Sequence, residues 1–176
     1  SLVDPDNRRP VDYQTRTTAL AHWQQRADHL TELLANWENG QIKQYVIRQA
    51  LSLRRKLPEL FAAGSYDAIE CEGAQSERLI AFARALEHDC VIVVAPRLVG
   101  SMVEPGGKPL PRGWKDTALM LPDDFTDCRW EDVMTGNTYQ SAPQLGVQEV
   151  LQEFPVALLR AIPAGKDELN RTTTET

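Results

Sequence analysis

The sequence predicts an α+β fold in which amphipathic helices come first and an antiparallel β-sandwich follows. Three observations point to it. Up to about Lys56 apolar residues recur every three or four positions, the period of a helix with one buried stripe. Beyond Gly64 short apolar runs alternate with clusters rich in Gly, Pro and Asn, the punctuation of an all-β segment. Within that second part, Cys90-Val91-Ile92-Val93-Val94-Ala95 is a wholly apolar, largely β-branched run of the kind that fills a central strand.

Taken in order, the helical part starts after an irregular opening, Ser1 to Tyr13. Asp12 is a candidate N-cap, and Leu20, Trp23, Ala27, Leu30, Leu34 and Trp37 form one continuous stripe. Asn39-Gly40 is a strong stop. A second helix is predicted from Gln41 to Lys56, with Ile42, Tyr45, Val46, Ala50 and Leu53 on one side. Arg54, Arg55 and Lys56 complement the dipole at its C-terminus. Pro58 opens a short turn through Leu60 and Phe61 that closes at Gly64.

The strand candidates are Tyr66 to Cys71, Arg78 to Leu86, Cys90 to Ala95, Thr117 to Leu121, Cys128 to Val133 and Val156 to Ile162. Gly73-Ala74-Gln75-Ser76 reads as a turn and Glu87-His88-Asp89 as a hairpin loop. In the Arg78 to Leu86 strand, Ile80, Phe82 and Leu86 share a face. Gly100 to Gly113, with three prolines and four glycines, is a long loop. Met134-Thr135-Gly136-Asn137-Thr138 is a turn leading to an edge strand near Tyr139, and Val147 to Leu151 is ambiguous between helix and strand. A sandwich of about six to eight strands follows from this spacing. The polar tail from Ala164 to Thr176 is expected to be disordered. Two amphipathic helices need a sheet or other helices to cover their stripes. The sandwich can cover one flank, so the other is expected to face a partner.

Composition narrows the function classes. Of 176 residues, 42% are apolar and 25% charged, which suits a core buried without staples. A formal net charge of −6 argues against nucleic-acid binding, since no excess of cations is available to neutralise phosphates. Cys90 to Pro96, the longest apolar run, is too short to span a bilayer, so no membrane is expected. Cys71, Cys90 and Cys128 are odd in number and widely spaced, which reads as reduced structural cysteines in a cytoplasmic protein.

Candidate chemistry is sparse. No nucleophile elbow, phosphate loop or dinucleotide fingerprint occurs, and Gly106-Gly107-Lys108, set among prolines, reads as a surface loop. His22 and His29, seven apart, cannot chelate one metal as an i, i+4 pair would, and His88 sits in a turn; no metal or cofactor is expected. Trp114-Lys115-Asp116-Thr117 reads as a strand-edge tryptophan whose neighbours bond local backbone, with a sugar-stacking ring as the alternative. Trp130 reads as half-buried core. The exception is the opening loop, where Asp4, Asp6, Asn7, Arg8 and Arg9 crowd together. Asx turns account for its acids; paired guanidiniums beside paired carboxylates also suit a pocket that fixes sugar hydroxyls bidentately. A loop so dense in polar groups is expected to hang from a scaffold upstream of Ser1.

Ser1 to Tyr13 closely resembles the segment after the last barrel strand of maltooligosyl trehalose synthases, a family of the α-amylase clan. The resemblance continues through Leu57-Pro58-Glu59-Leu60-Phe61, Gly64-Ser65-Tyr66, Ala81-Phe82-Ala83-Arg84 and Val94-Ala95-Pro96-Arg97-Leu98. It then takes in Trp114-Lys115-Asp116-Thr117, Met134-Thr135-Gly136 and Phe154-Pro155-Val156-Ala157-Leu158-Leu159. It implies that residues 1–63 are the last active-site loop and C-terminal helices of a (β/α)8 barrel. Residues 64–163 would then be an antiparallel C-terminal domain packed on that barrel, and 164–176 a tail. The resemblance implies an enzyme that turns the reducing-end α-1,4 linkage of a maltooligosaccharide into an α,α-1,1 linkage. Asp4, Asp6, Asn7, Arg8 and Arg9 would lie at the active-site rim. The catalytic carboxylates would come from the missing barrel, so the chain by itself is expected to be inactive. A non-catalytic carbohydrate-binding or scaffold module, and a subunit completing a barrel in trans, are the alternatives.

Overall fold

A computed structural model of the protein describes residues 11–23, 29–125 and 128–163, and in it helices precede strands as the change of period implies. The helical part comprises α1 (Tyr13–Trp23), α2 (His29–Ala35), a 3-10 turn (Trp37–Asn39), α3 (Gln41–Lys56) and α4 (Pro58–Ala63). Asp12 caps α1, accepting the Thr15 backbone N–H at 2.9 Å and the Thr15 hydroxyl at 2.6 Å. The second helix has the limits the sequence indicates, and Gly40 before it is left-handed, φ 77°, with its N–H on the Trp37 carbonyl. Pro58 occupies the first turn of α4, a six-residue helix rather than a turn, which drives Leu60 into the core.

The long stripe expected ahead of Gly40 is only partly realised. Leu34 is buried and Leu20 and Leu30 pack beside the core, while Ala27 lies outside the described residues. Trp37 departs from the expectation: it is 40% exposed. The α-helix stops at Ala35, and the tighter 3-10 turn carries Trp37 off the stripe.

The strands are β1 (Asp67–Ala68), β2 (Cys71–Glu72), β3 (Leu79–Leu86), β4 (Asp89–Pro96), β5 (Ala118–Met120), β6 (Cys128–Asp132), β7 (Thr138–Gln140), β8 (Gln144–Gly146) and β9 (Ala157–Pro163). They form a six-stranded sheet, β1-β3-β4-β9-β6-β7, and a three-stranded sheet, β2-β5-β8. Every pairing is antiparallel.

Several local readings change. The strand expected from Tyr66 to Cys71 is split between the two sheets. Asp67 pairs with Ala83 and Cys71 with Leu119, so the chain crosses at Ile69-Glu70. Asp89 pairs with Leu86, which shortens the hairpin loop to Glu87-His88, with Glu87 at φ 54°. Val147 to Leu151 resolves into one helical turn, α5 (Val147–Val150), after β8, a strand the sequence did not signal. The split strand and β8 bring the described strands to nine. The edge strand near Tyr139 is β7, at the end of the larger sheet.

Two cores explain the pattern. Ile92, Val94, Trp130 and Leu159 from the larger sheet share one cluster with Leu119 and Leu145 from the smaller. Val91 and Leu158, on the opposite side of the same strands, cluster with Leu33, Leu34, Tyr45, Leu53 and Leu60 of the helices. The six-stranded sheet is thus a middle layer, covered on both faces near β4 and β9. This is why Cys90 to Ala95 is apolar without alternation. On β3, Ala81 and Ala83 face the inter-sheet core, and Ile80 and Phe82 take the other side, Ile80 half exposed.

Candidate functional site

Asp4, Asp6, Asn7, Arg8 and Arg9, the residues with the strongest chemical signal, lie outside the described residues. What the structure describes is the start of the helix that follows them in sequence. The Thr15 hydroxyl, and then the Thr15 amide, hold the Asp12 carboxyl below its ordinary range by donating to the ionised form. One turn further on, the Gln44 side chain donates to the Arg16 carbonyl at 3.0 Å, and Ala19 is buried in the helical core. α1 is therefore tied to α3.

From α3 a polar joint reaches the sheet. The Tyr45 hydroxyl donates to the Met134 carbonyl at 2.6 Å, and Gln49 Nε2 donates to the Val133 carbonyl at 2.7 Å. His29 Nε2 lies 3.3 Å from the same hydroxyl, and the Tyr45 ring meets Phe154 edge-on at 5.7 Å. Burial pushes the Tyr45 hydroxyl up to about 12, so it stays a donor across the ordinary pH range.

Behind the joint stands Asp132, fully buried at the end of β6. Its Oδ1 accepts the Met134 N–H at 3.0 Å and the Leu158 N–H at 3.1 Å, and its Oδ2 accepts the Thr135 hydroxyl at 2.8 Å. Burial raises its carboxyl above the ordinary range, and the donated bonds pull back against that. Gly136, at φ 80°, closes the turn with its N–H on the Asp132 carbonyl at 2.7 Å. Sequence reasoning found the Met134-Thr135-Gly136 turn but missed the carboxylate that organises it. The available signal was an Asp three residues before a Thr, an Asx-type pattern.

The other motifs also prove to be joints. Trp114 is 0% exposed, which removes the sugar-stacking alternative, and it is deeper than a strand edge. Asp116 Oδ1 accepts the Ala74 N–H and Thr117 Oγ1 accepts the Gln75 N–H, both at 3.0 Å and 42 residues away rather than locally. Trp130 is fully buried, not half-buried. Arg84 Nη2 donates to the Gly64 carbonyl at 2.9 Å, tying the start of the β part to β3. The basic run Arg54-Arg55-Lys56 and His88 are exposed. Among the described residues no group of three or more His, Cys, Asp or Glu is placed to hold a metal ion, and no helix is long and apolar enough to cross a membrane.

Two clefts open on the described surface. One, of about 890 Å3, runs along Gly73 to Leu79 with Arg97 and Leu98 opposite. The other, of about 570 Å3, lies between Leu34 to Asn39 and the loop Gly106-Gly107-Lys108, with the partly exposed Trp37 in its wall.

No family model matches the chain. A putative maltooligosyl trehalose synthase of Mycobacterium tuberculosis (strain H37Rv) is 34% identical to it over 159 residues, 90% of this chain. The same holds for the protein of strain CDC 1551 / Oshkosh. The chain spans 17% of the length of these curated relatives. The solved structure of maltooligosyltrehalose synthase from Arthrobacter ramosus superposes with a TM-score of 0.66 at 34% identity, covering 92% of this chain and 18% of that one. A point mutant of that enzyme gives the same TM-score at 33% identity.

Proposed function

Because this chain is a relative of the maltooligosyl trehalose synthases along nine-tenths of its length, we propose that it is the C-terminal portion of such an enzyme. The observation that supports the reading is joint agreement of sequence and fold over almost the whole chain, against about a sixth of each relative. The reaction is an intramolecular transglycosylation. A carboxylate on the barrel attacks the anomeric carbon of the penultimate glucose, the α-1,4 bond breaks, and the released glucose takes a proton from a carboxylic acid. That glucose reorients, and its own anomeric hydroxyl attacks the glycosyl carbon. The hydroxyl proton returns to the acid, and the nucleophile leaves with its charge restored. Neither carboxylate is assigned to this chain.

In this reading, residues 1–63 complete the barrel and 64–163 form a sandwich domain beside it. Asp4, Asp6, Asn7, Arg8 and Arg9 fix glucose in the acceptor subsite through bidentate bonds to its hydroxyls, and so exclude water. The barrel would cover Ile47 and Leu51, one turn apart and about half exposed on α3. In the full-length enzyme bearing this segment, Arg8→Ala or Arg9→Ala should raise glucose release relative to trehalose-end formation by about tenfold, since one charge-assisted bidentate contact is lost. An unchanged ratio in both variants would sink the assignment of the loop.

A further inference from the structure

We infer that the cleft between the 3-10 turn Trp37–Asn39 and Gly106-Gly107-Lys108 is a binding site for short α-1,4-linked glucose oligomers. The sugar class rests on the reading just given; the site rests on its geometry. Its volume, about 570 Å3, falls within the roughly 300–1,000 Å3 of small-molecule sites.

Trp37 supplies the apolar surface. The helical stripe would bury it, yet the 3-10 turn presents it at 40% exposure in the cleft wall. An indole face suits the C–H face of a pyranose ring, while the ring hydroxyls need donors and acceptors at the rim. Those are at hand and of mixed kind. The Asn36 amide is oriented by its Nδ2 bond to the Glu32 carbonyl at 3.1 Å, and the Asn39 amide by accepting the Gln41 N–H at 2.8 Å on Oδ1. Each of these bonds fixes an amide plane while using one polar atom of the pair. Glu38 adds an acceptor and Lys108 a donor, both exposed on opposite walls. Charges of both signs suit a neutral, hydroxyl-rich ligand better than an anion.

The opposite wall admits close approach. A Cβ built at Gly106 would meet no atom within 4 Å, so bare backbone borders open space there. The glycines that failed as a phosphate loop thus acquire a use that needs neither a preceding strand nor a following helix.

Titration of the purified chain with maltotriose and maltopentaose, read by calorimetry and tryptophan fluorescence, tests the proposal. Saturable binding of both, with cellopentaose far weaker, is expected. Trp37→Ala should weaken maltopentaose binding by about tenfold or more, and Trp37→Phe by less, because an aromatic face remains. Lys108→Ala should weaken it about threefold through loss of one exposed donor. Circular dichroism and urea midpoints matching the parent chain establish that the variants fold. No saturable binding, equal binding of cellopentaose, or undiminished binding by folded Trp37→Ala would each overturn the site. None of those results bears on trehalose formation by the full-length enzyme, which is measured separately.

Discussion

At the scale of single residues, Asp132 shows how a buried charge organises a turn. Two backbone amides and one hydroxyl converge on its carboxylate, and removing it strands the buried Met134 and Leu158 amides. Asp132→Ala should therefore cost about 2–4 kcal/mol in urea unfolding. Asp132→Asn should stay within about 1 kcal/mol of the parent, because the amide oxygen still accepts both N–H groups and Thr135 can turn to accept. The pH profile follows from the direction of the shift. A carboxyl whose pKa is higher folded than unfolded binds its proton more tightly in the fold. Its contribution is fully present below the ordinary carboxylate range and is lost as pH rises through the elevated value. Comparing urea midpoints from about pH 4 to about pH 7 should show that loss in the parent chain and not in Asp132→Asn; parallel profiles would refute it. The Asp132–Thr135 spacing was legible as a local turn signal, but the bond to Leu158, 26 residues on, was not.

Among elements, the deciding contacts are those that lock loops to strands. Gly73 sits at φ 99°, and a Cβ there would lie 2.7 Å from both the Asp116 carbonyl oxygen and the Thr117 Cα. The turn that Asp116 and Thr117 grip can therefore carry no side chain at that point. Gly73→Ala should cost more than about 2 kcal/mol, by clash and backbone strain together, measured as a urea midpoint. A cost of a few tenths would mean that the turn yields. The sequence identified this turn and the Trp114-Lys115-Asp116-Thr117 motif separately, yet no local rule joins segments 42 residues apart. The same limit explains the split first strand: Tyr66 to Cys71 reads as one strand, and only the partners β3 and β5 assign its halves to different sheets.

For the whole molecule, the described motifs that carry the sequence resemblance are joints, while the groups proposed to bind sugar belong to the opening loop, outside the described residues. Gly64, Arg84 and Thr117 tie remote segments together, Thr135 closes the Asp132 turn, and Phe154 packs in the core between the helices and the sheet. The purified 176-residue chain should accordingly produce no trehalose-ended product from maltopentaose; measurable turnover would contradict the proposed division of labour. By itself the sequence determined the order of helices and strands, the Asp12 cap, the break at Gly40 before α3, the limits of α3 and the central place of β4. Each depends on periodicity or on neighbours a few residues away. Only the tertiary structure decided that the larger sheet is a middle layer, that Trp37 leaves the core, and that Tyr45 reaches the Met134 carbonyl 89 residues on. Backbone donors and acceptors are alike along every strand, so remote pairing is selected by how whole faces pack and not by any local signal.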